Sequence, residues 1–231
     1  MENEFEYTGY ENLRIMENAI NYNKFIHSLI EKFNPNASLT VDFGAGLGLF
    51  ASTSKAWAKN LICVEPDRNQ FNLLQNNGFQ VVDDIDQIPD SSVDYIYCIN
   101  VLEHIEDHLQ ILQKFHAKLI KGGVLLIYVP AFMLLFSSMD RVVGHFRRYD
   151  KSMMRDLIQY SNFRVVELQY ADSIGFLASL LYKLLDSGDG AINSKMLKIY
   201  DRFIFPLSRF FDFFVSRFFG KNIFVVLERL K

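Results

Sequence analysis

A chain of 231 residues, half of them hydrophobic and 22% charged, has the length and composition of one globular domain with a substantial core. Its net charge of −3 gives no general attraction to nucleic acid, so no DNA partner is expected, and two cysteines, Cys63 and Cys98, are too few for a disulfide framework. No apolar run reaches the length of a membrane span, and the acidic, polar start MENEFEYTGYENLR has no signal- or transit-peptide character, so the cytoplasm is the expected location.

From Leu13 to Phe33 apolar residues recur mostly at helical spacing and Pro35 ends the segment, which predicts an N-terminal helical cap over 1–36. Short apolar runs follow at 39–43, 61–65, 79–82, 93–99 and 124–129. Helical stretches near 48–58, 67–76 and 105–120 lie between them, the last closed by Lys118, Lys121 and Gly122-Gly123. Strand–helix alternation with continuously apolar strands predicts an α/β fold built on a doubly wound, mostly parallel sheet. Both cysteines fall inside such strands and are expected as buried free thiols. Beyond Pro130 a polar loop, SSMDRVVGHFRRYD, leads to a helix at 151–160, a strand at 163–170 and an apolar helix at 171–185. A turn-rich break at 187–194 precedes one or two aromatic helices over 195–219, with Pro206 at a kink or a new start, and the chain ends in the strand IFVVLERL.

The strongest local signal is Val41-Asp42-Phe43-Gly44-Ala45-Gly46-Leu47-Gly48, which follows a strand and opens a helix. Glycines there let a backbone approach a ligand closely, as a nucleotide loop requires. A dinucleotide fingerprint would need G-x-G-x-x-G; the even spacing of Gly44, Gly46 and Gly48 does not supply its third glycine. The motif has companions. The next strand ends in Glu65, placed to accept both hydroxyls of a ribose; the third ends in Val-Val-Asp83-Asp84-Ile85, where either aspartate can read an adenine amino group; the fourth runs out into Asn100-Val-Leu-Glu103-His104.

This ordered set, over about residues 37 to 130, resembles the class I S-adenosylmethionine-dependent methyltransferases. The resemblance implies a seven-stranded sheet in the order 3-2-1-4-5-7-6 with an antiparallel last strand, and S-adenosylmethionine as cofactor. It implies that Gly44, Gly46 and Gly48 line the methionine part, that Asp42 orders their loop and that Glu65 holds the ribose. Asp84 with Ile85 would frame the adenine, the choice between Asp83 and Asp84 remaining open, and Asn100 would sit near the sulfonium. With 163–170 and 223–230 as the last two strands, residues 171–221 become a helical insertion inside the final hairpin of a single domain spanning 1–231.

Methyl transfer requires in-line alignment of the nucleophile and, for a hydroxyl, removal of its proton. His104, after strand four, and His145, in the loop after strand five, are the candidate bases at the carboxyl edge of the sheet. Ubiquinone-type and small-RNA 2′-hydroxyl methyltransferases use Glu-x-x-Glu-His in a metal site; Asn100 replaces the first glutamate here, so no metal is expected, although Glu103, His104 and His145 could still converge. Arg147 and Arg148, followed by Tyr149, are candidates to fork onto a carboxylate or phosphate of the acceptor, with an ion pair to Asp140 or Asp150 as the alternative for either arginine. The stretch from Asp140 to Asp150 resembles a loop of bacterial methyltransferases, some of them associated with cell-surface polysaccharide or lipid pathways. The expected activity is therefore methylation, on oxygen, of a small-molecule, glycan or lipid-linked acceptor. A non-catalytic cofactor-binding protein with a partner-docking surface and an RNA methyltransferase are the alternatives; the second lacks a basic stripe.

The aromatic segment FPLSRFFDFFVSRFFG, residues 205–220, carries seven phenylalanines. Lys198, Arg202, Arg209, Asp212 and Arg217 recur at intervals of three to seven residues, roughly one or two helical turns, and leave a wide apolar face. Between Lys195 and Lys221 six basic residues oppose two acidic ones. Core packing, contact with an anionic membrane surface through 195–221, which would place the protein peripherally at the membrane's inner face, and a homodimer interface are three readings of that face.

Overall fold

Burial on both faces explains why the strands read as unbroken apolar runs. In the computed structural model, which describes residues 9–185, 188, 190 and 193–230, seven strands form one sheet. They are β1 (Thr40–Phe43), β2 (Leu61–Val64), β3 (Gln80–Val82), β4 (Val93–Ile99), β5 (Leu119–Pro130), β6 (Phe163–Ala171) and β7 (Asn222–Arg229), in the order β3-β2-β1-β4-β5-β7-β6. The first five pair in parallel, and β7 runs antiparallel between β5 and β6.

Side chains alternate across this sheet. Tyr95, Tyr97, Leu126, Tyr128, Phe224 and Val226 form a core with Tyr22, Ile26 and Ile30 of α2 (Ile20–Lys32). On the opposite face Ile96, Cys98, Leu125, Ile127 and Val225 pack with α5 (His108–Lys118) and α7 (Lys151–Gln159). Each fully buried Leu or Ile there contributes about 1.5–3 kcal/mol. The buried tyrosines need partners: Tyr95 Oη donates to the Ile30 carbonyl at 2.9 Å and Tyr97 Oη to Ser54 Oγ at 3.1 Å. Cys63 and Cys98 are buried and free, as expected.

The remaining helices are α1 (Tyr10–Met16), α3 (Leu49–Ser54), α4 (Arg68–Asn76), α6 (Ser138–Val142), α8 (Ser173–Leu185), α9 (Ser194–Ile199) and α10 (Phe205–Val215). The N-terminal cap is thus two helices; its residues 1–8 lie outside the described residues, as do residues 187, 189, 191 and 192 of the break at 187–194. Two other expectations change. Lys121-Gly122-Gly123 does not close a helix: α5 ends at Lys118, and Leu119 already pairs with Val93. Because Tyr95 pairs with Val124, the lysine and glycines are accommodated in a bulge of β5. The polar loop after β5 contains α6, closed at its start by a capping box between Ser137 and Asp140.

Between β6 and β7 the insertion runs through α8, α9, a π-helical turn (Tyr200–Ile204) and α10. Pro206 lies in the first turn of α10, where its missing N–H costs little, so it marks a new start.

Candidate active site

The glycine loop turns sharply from β1 into α3. Gly44 has φ +75°, and a Cβ there would stand 2.3 Å from the Val101 side chain, so no other residue fits. Asp42, at the third position of β1, is almost fully buried, and burial pushes its carboxyl up to about 8. Glu65 closes the other side. Its Oε2 accepts the Gly46 N–H at 2.8 Å and its Oε1 the Asp67 N–H at 3.0 Å, while burial raises its carboxyl above the usual range. Asp67 in turn caps α4 through the N–H groups of Asn69 and Gln70.

At the end of β3 both aspartates are engaged: Asp83 pairs with Arg68 at 3.6 Å, and Asp84 caps a 3-10 turn through the Asp86 N–H and approaches Lys114 at 3.7 Å. Ile85 is buried between them and the core. Asn100, at the end of β4, adopts φ +53°, and its N–H donates to the Tyr128 carbonyl at 2.7 Å. Tyr22 of α2 is buried nearby, and burial raises its hydroxyl above the usual range.

Beyond Asn100 lies a buried polar cluster. Asp140 of α6 accepts from His145 Nδ1 at 2.7 Å and from Arg148 Nε and Nη2 at 2.8 and 2.9 Å. Burial alone would raise the Asp140 carboxyl, but the His145 and Arg148 hydrogen bonds outweigh it and hold it well below the usual carboxylate range. The contact fixes His145 with its proton on Nδ1, so Nε2 faces Glu103 Oε1 at 3.8 Å. Glu103 is fully buried and, among the described residues, neither carboxylate oxygen has a hydrogen-bond partner; burial pushes it up to about 7, against the opposing pull of His145. His104 packs edge-on against the His145 ring, centroids 4.5 Å apart, and burial, followed by the proximity of that second imidazole, lowers it to about 4. Ligand atoms of Glu103, His104 and His145 lie within 4.8 Å of one another, so the convergence that a cation would need is present even without a carboxylate at Asn100.

The three residues expected to meet the acceptor divide. Arg148 is buried and held by Asp140, the ion-pair alternative, and Tyr149 is fully buried with its hydroxyl between His108 Nδ1 (2.9 Å) and the Leu102 carbonyl (3.1 Å). These two brace the loop, and among the described residues Arg148 Nη1 has no hydrogen-bond partner. Arg147 is half-buried, with Nη1 and Nη2 donating to the carbonyls of Ile105 and Glu106 at 2.6 and 2.8 Å.

The sequence pattern of a family described as a methyltransferase domain matches residues 9–168. The chain belongs to that family.

This methyltransferase resembles, at 25% identity over 209 residues, an uncharacterised protein of Methanocaldococcus jannaschii, with 89% of this chain and 84% of the relative aligned. Its fold is similar to a S-adenosylmethionine-dependent methyltransferase of Archaeoglobus fulgidus (TM-score 0.63, 14% identity, 94% of this chain and 99% of the other). It is also similar to a methyltransferase of Haloferax volcanii solved in complex with the Trm112 activator (TM-score 0.65, 12% identity, 96% of each chain). Fold and family identify an enzyme of class I whose methyl donor is S-adenosylmethionine. At the carboxyl ends of β1 and β2, where ligands bind in open α/β sheets, the glycine loop closes on Val101 at Gly44 and on the Glu65 carboxylate at the Gly46 N–H.

Proposed function

We propose that the protein transfers the methyl group to a hydroxyl of a small-molecule, glycan or lipid-linked acceptor, with His145 as the base. S-adenosylmethionine supplies an activated methyl on a sulfonium. In this reading Gly44, Gly46 and Gly48 line its methionine part, Asp42 keeps their loop in shape, and Glu65 accepts from the ribose hydroxyls. Asp84 with Ile85 frames the adenine, and Asn100 faces the sulfonium side.

The single observation that carries the chemistry is His145 held between Asp140 at 2.7 Å and Glu103 at 3.8 Å, three residues beyond Asn100 in the case of Glu103. A carboxylate-anchored imidazole keeps a lone pair on Nε2, the arrangement that accepts a hydroxyl proton. His104, neutral above about pH 4, is too weak a base for that step and instead sets the His145 ring plane. Arg147 keeps donors beyond its two carbonyl contacts for an anionic group on the acceptor. The acceptor class draws on residues 195–221, whose exposed apolar surface suits lipid or a second copy of the chain.

Incubating the enzyme with isotopically methyl-labelled cofactor and fractionated cell extract tests this directly. Label entering lipid or aqueous small-molecule and glycan fractions, and lost in His145→Gln, supports it. Label confined to RNA, or tight cofactor binding without turnover, overturns it.

A further inference from the structure

The aromatic helix of the insertion is built inside out. The stripe of α10 that faces the protein is Phe205, Ser208 and Asp212, all buried. Ser208 Oγ accepts the Ile174 N–H at 2.9 Å, and the two Asp212 oxygens accept the N–H groups of Asp172 and Ser173 at 2.9 and 2.8 Å. These are the unpaired donors at the start of α8, so the polar residues of α10 point inward as a cap. Asp201, in the π-helical turn, does the same for α2: its oxygens accept the N–H groups of Asn21 and Tyr22, both at 2.9 Å.

Two consequences follow for the outer surface. Phe203, Phe210, Phe213, Phe214 and Phe218 face solvent, Phe213 at 85% and Phe218 at 73% exposure, and the rings of Phe210, Phe213 and Phe214 meet one another along α10. The surface is also stripped of negative charge. Both acids of the segment are buried as caps, and Arg209 is paired with Asp212 at 2.6 Å, while Lys195, Lys198, Arg202 and Arg217 stay exposed. Every exposed charge from Ser194 to Gly220 is therefore positive, in a chain whose net charge is −3.

We propose that this face docks the protein on an anionic lipid bilayer, α10 lying in the interface plane with its phenylalanines in the acyl boundary and its basic residues among the headgroups. A second copy does not fit as well: a two-fold contact would bring two sets of the same four cations into one interface, with no exposed acid of the segment to pair them. No helix among the described residues is long and apolar enough to cross a membrane, so the contact is in-plane. The patch reaches the catalytic edge, since the Phe176 ring meets both Phe132, just beyond β5, and Phe219 (centroids 5.4 and 5.6 Å). Delivery of a lipid-borne acceptor to His145 follows from this placement and rests on the proposed function; the docking itself does not.

Co-sedimentation of the full chain with vesicles of phosphatidylcholine, alone or mixed with phosphatidylserine, tests it, with S-adenosylmethionine binding measured on the same samples. Binding to the mixed vesicles should exceed binding to the neutral ones at least about tenfold and weaken as salt rises. The variant Phe213→Ser/Phe218→Ser should lose binding by a similar factor, and Arg202→Glu/Arg217→Glu should lose the preference for phosphatidylserine; cofactor affinity should be unchanged in both. Equal sedimentation with the two vesicle types, or variants that bind as well as wild type, overturns the proposal. So does a stable dimer in sedimentation velocity that the double serine variant dissociates. Loss of cofactor binding by the wild-type chain would instead contradict the methyltransferase reading.

Discussion

Glu103 offers the sharpest quantitative test, because a buried carboxyl with no hydrogen-bond partner must carry its own proton or meet a cation. Its folded-state value of about 7, against 4.5 for an ordinary glutamate, means that the folded chain holds a proton which the unfolded chain releases between those limits. At about 1.4 kcal/mol per pH unit, the interval of about 2.5 units is worth about 3 kcal/mol. The folded state binds more protons, so this contribution is fully present below about pH 4.5 and is lost as pH rises through about 7. Glu103→Gln removes the ionisation while keeping the shape. Urea unfolding of both proteins at pH 5 and pH 8.5 should show the wild type losing about 2.5 kcal/mol relative to the variant over that interval, the remainder having gone below pH 5. A difference that does not change with pH would refute the reasoning. A wild type that gains stability relative to the variant at high pH, and loses that gain on chelation, would also refute it and would place a cation between Glu103, His104 and His145.

Three further outcomes test the rest of the architecture. His145→Gln should lower kcat about 10²- to 10⁴-fold in the labelled-methyl assay while calorimetric S-adenosylmethionine affinity stays within about twofold, since the imidazole is assigned to proton removal. Gly44→Ala should abolish detectable cofactor binding and cost about 2 kcal/mol or more in urea titrations, through the positive φ and the 2.3 Å approach to Val101. Asp212→Ala should cost about 2 kcal/mol by leaving the first N–H groups of α8 without acceptors, with cofactor affinity unchanged.

Most of the fold was legible because both sheet faces are covered: continuous apolar strands such as Val93–Ile99 alternate with helices whose periodicity is clear, and the glycine loop announces β1 and α3. Where local chemistry competed with strand pairing it misled, as at Lys121-Gly122-Gly123, which has the composition of a helix terminus and lies in a bulge of β5. Asp42, Glu65 and Asn100 stand out in the sequence because each lies at or next to the carboxyl end of a strand. Their surroundings do not. Nothing in the run Gly144-His145-Phe146-Arg147-Arg148-Tyr149 distinguishes the arginine that binds Asp140 from the one that reaches solvent, since that depends on which way α6 turns the chain.

The insertion shows why periodicity alone cannot assign faces. In α10 charged and aromatic residues recur at helical spacing, and the usual inference turns the aromatic side inward. That inference assumes that the surface beneath the helix is apolar. Here the ground beneath α10 includes the bare N-terminus of α8, a cluster of N–H donors that phenylalanine cannot satisfy and that Ser208 and Asp212 can. Leaving those donors unpaired would cost about 1–3 kcal/mol each, comparable to the gain from burying one more aromatic ring, so the polar stripe wins the inward position. The phenylalanines are then outward by geometry, because a helix cannot offer both stripes to one neighbour. An outward aromatic stripe brings no stability to the isolated chain, and its presence next to exposed cations alone is what assigns it to an anionic bilayer.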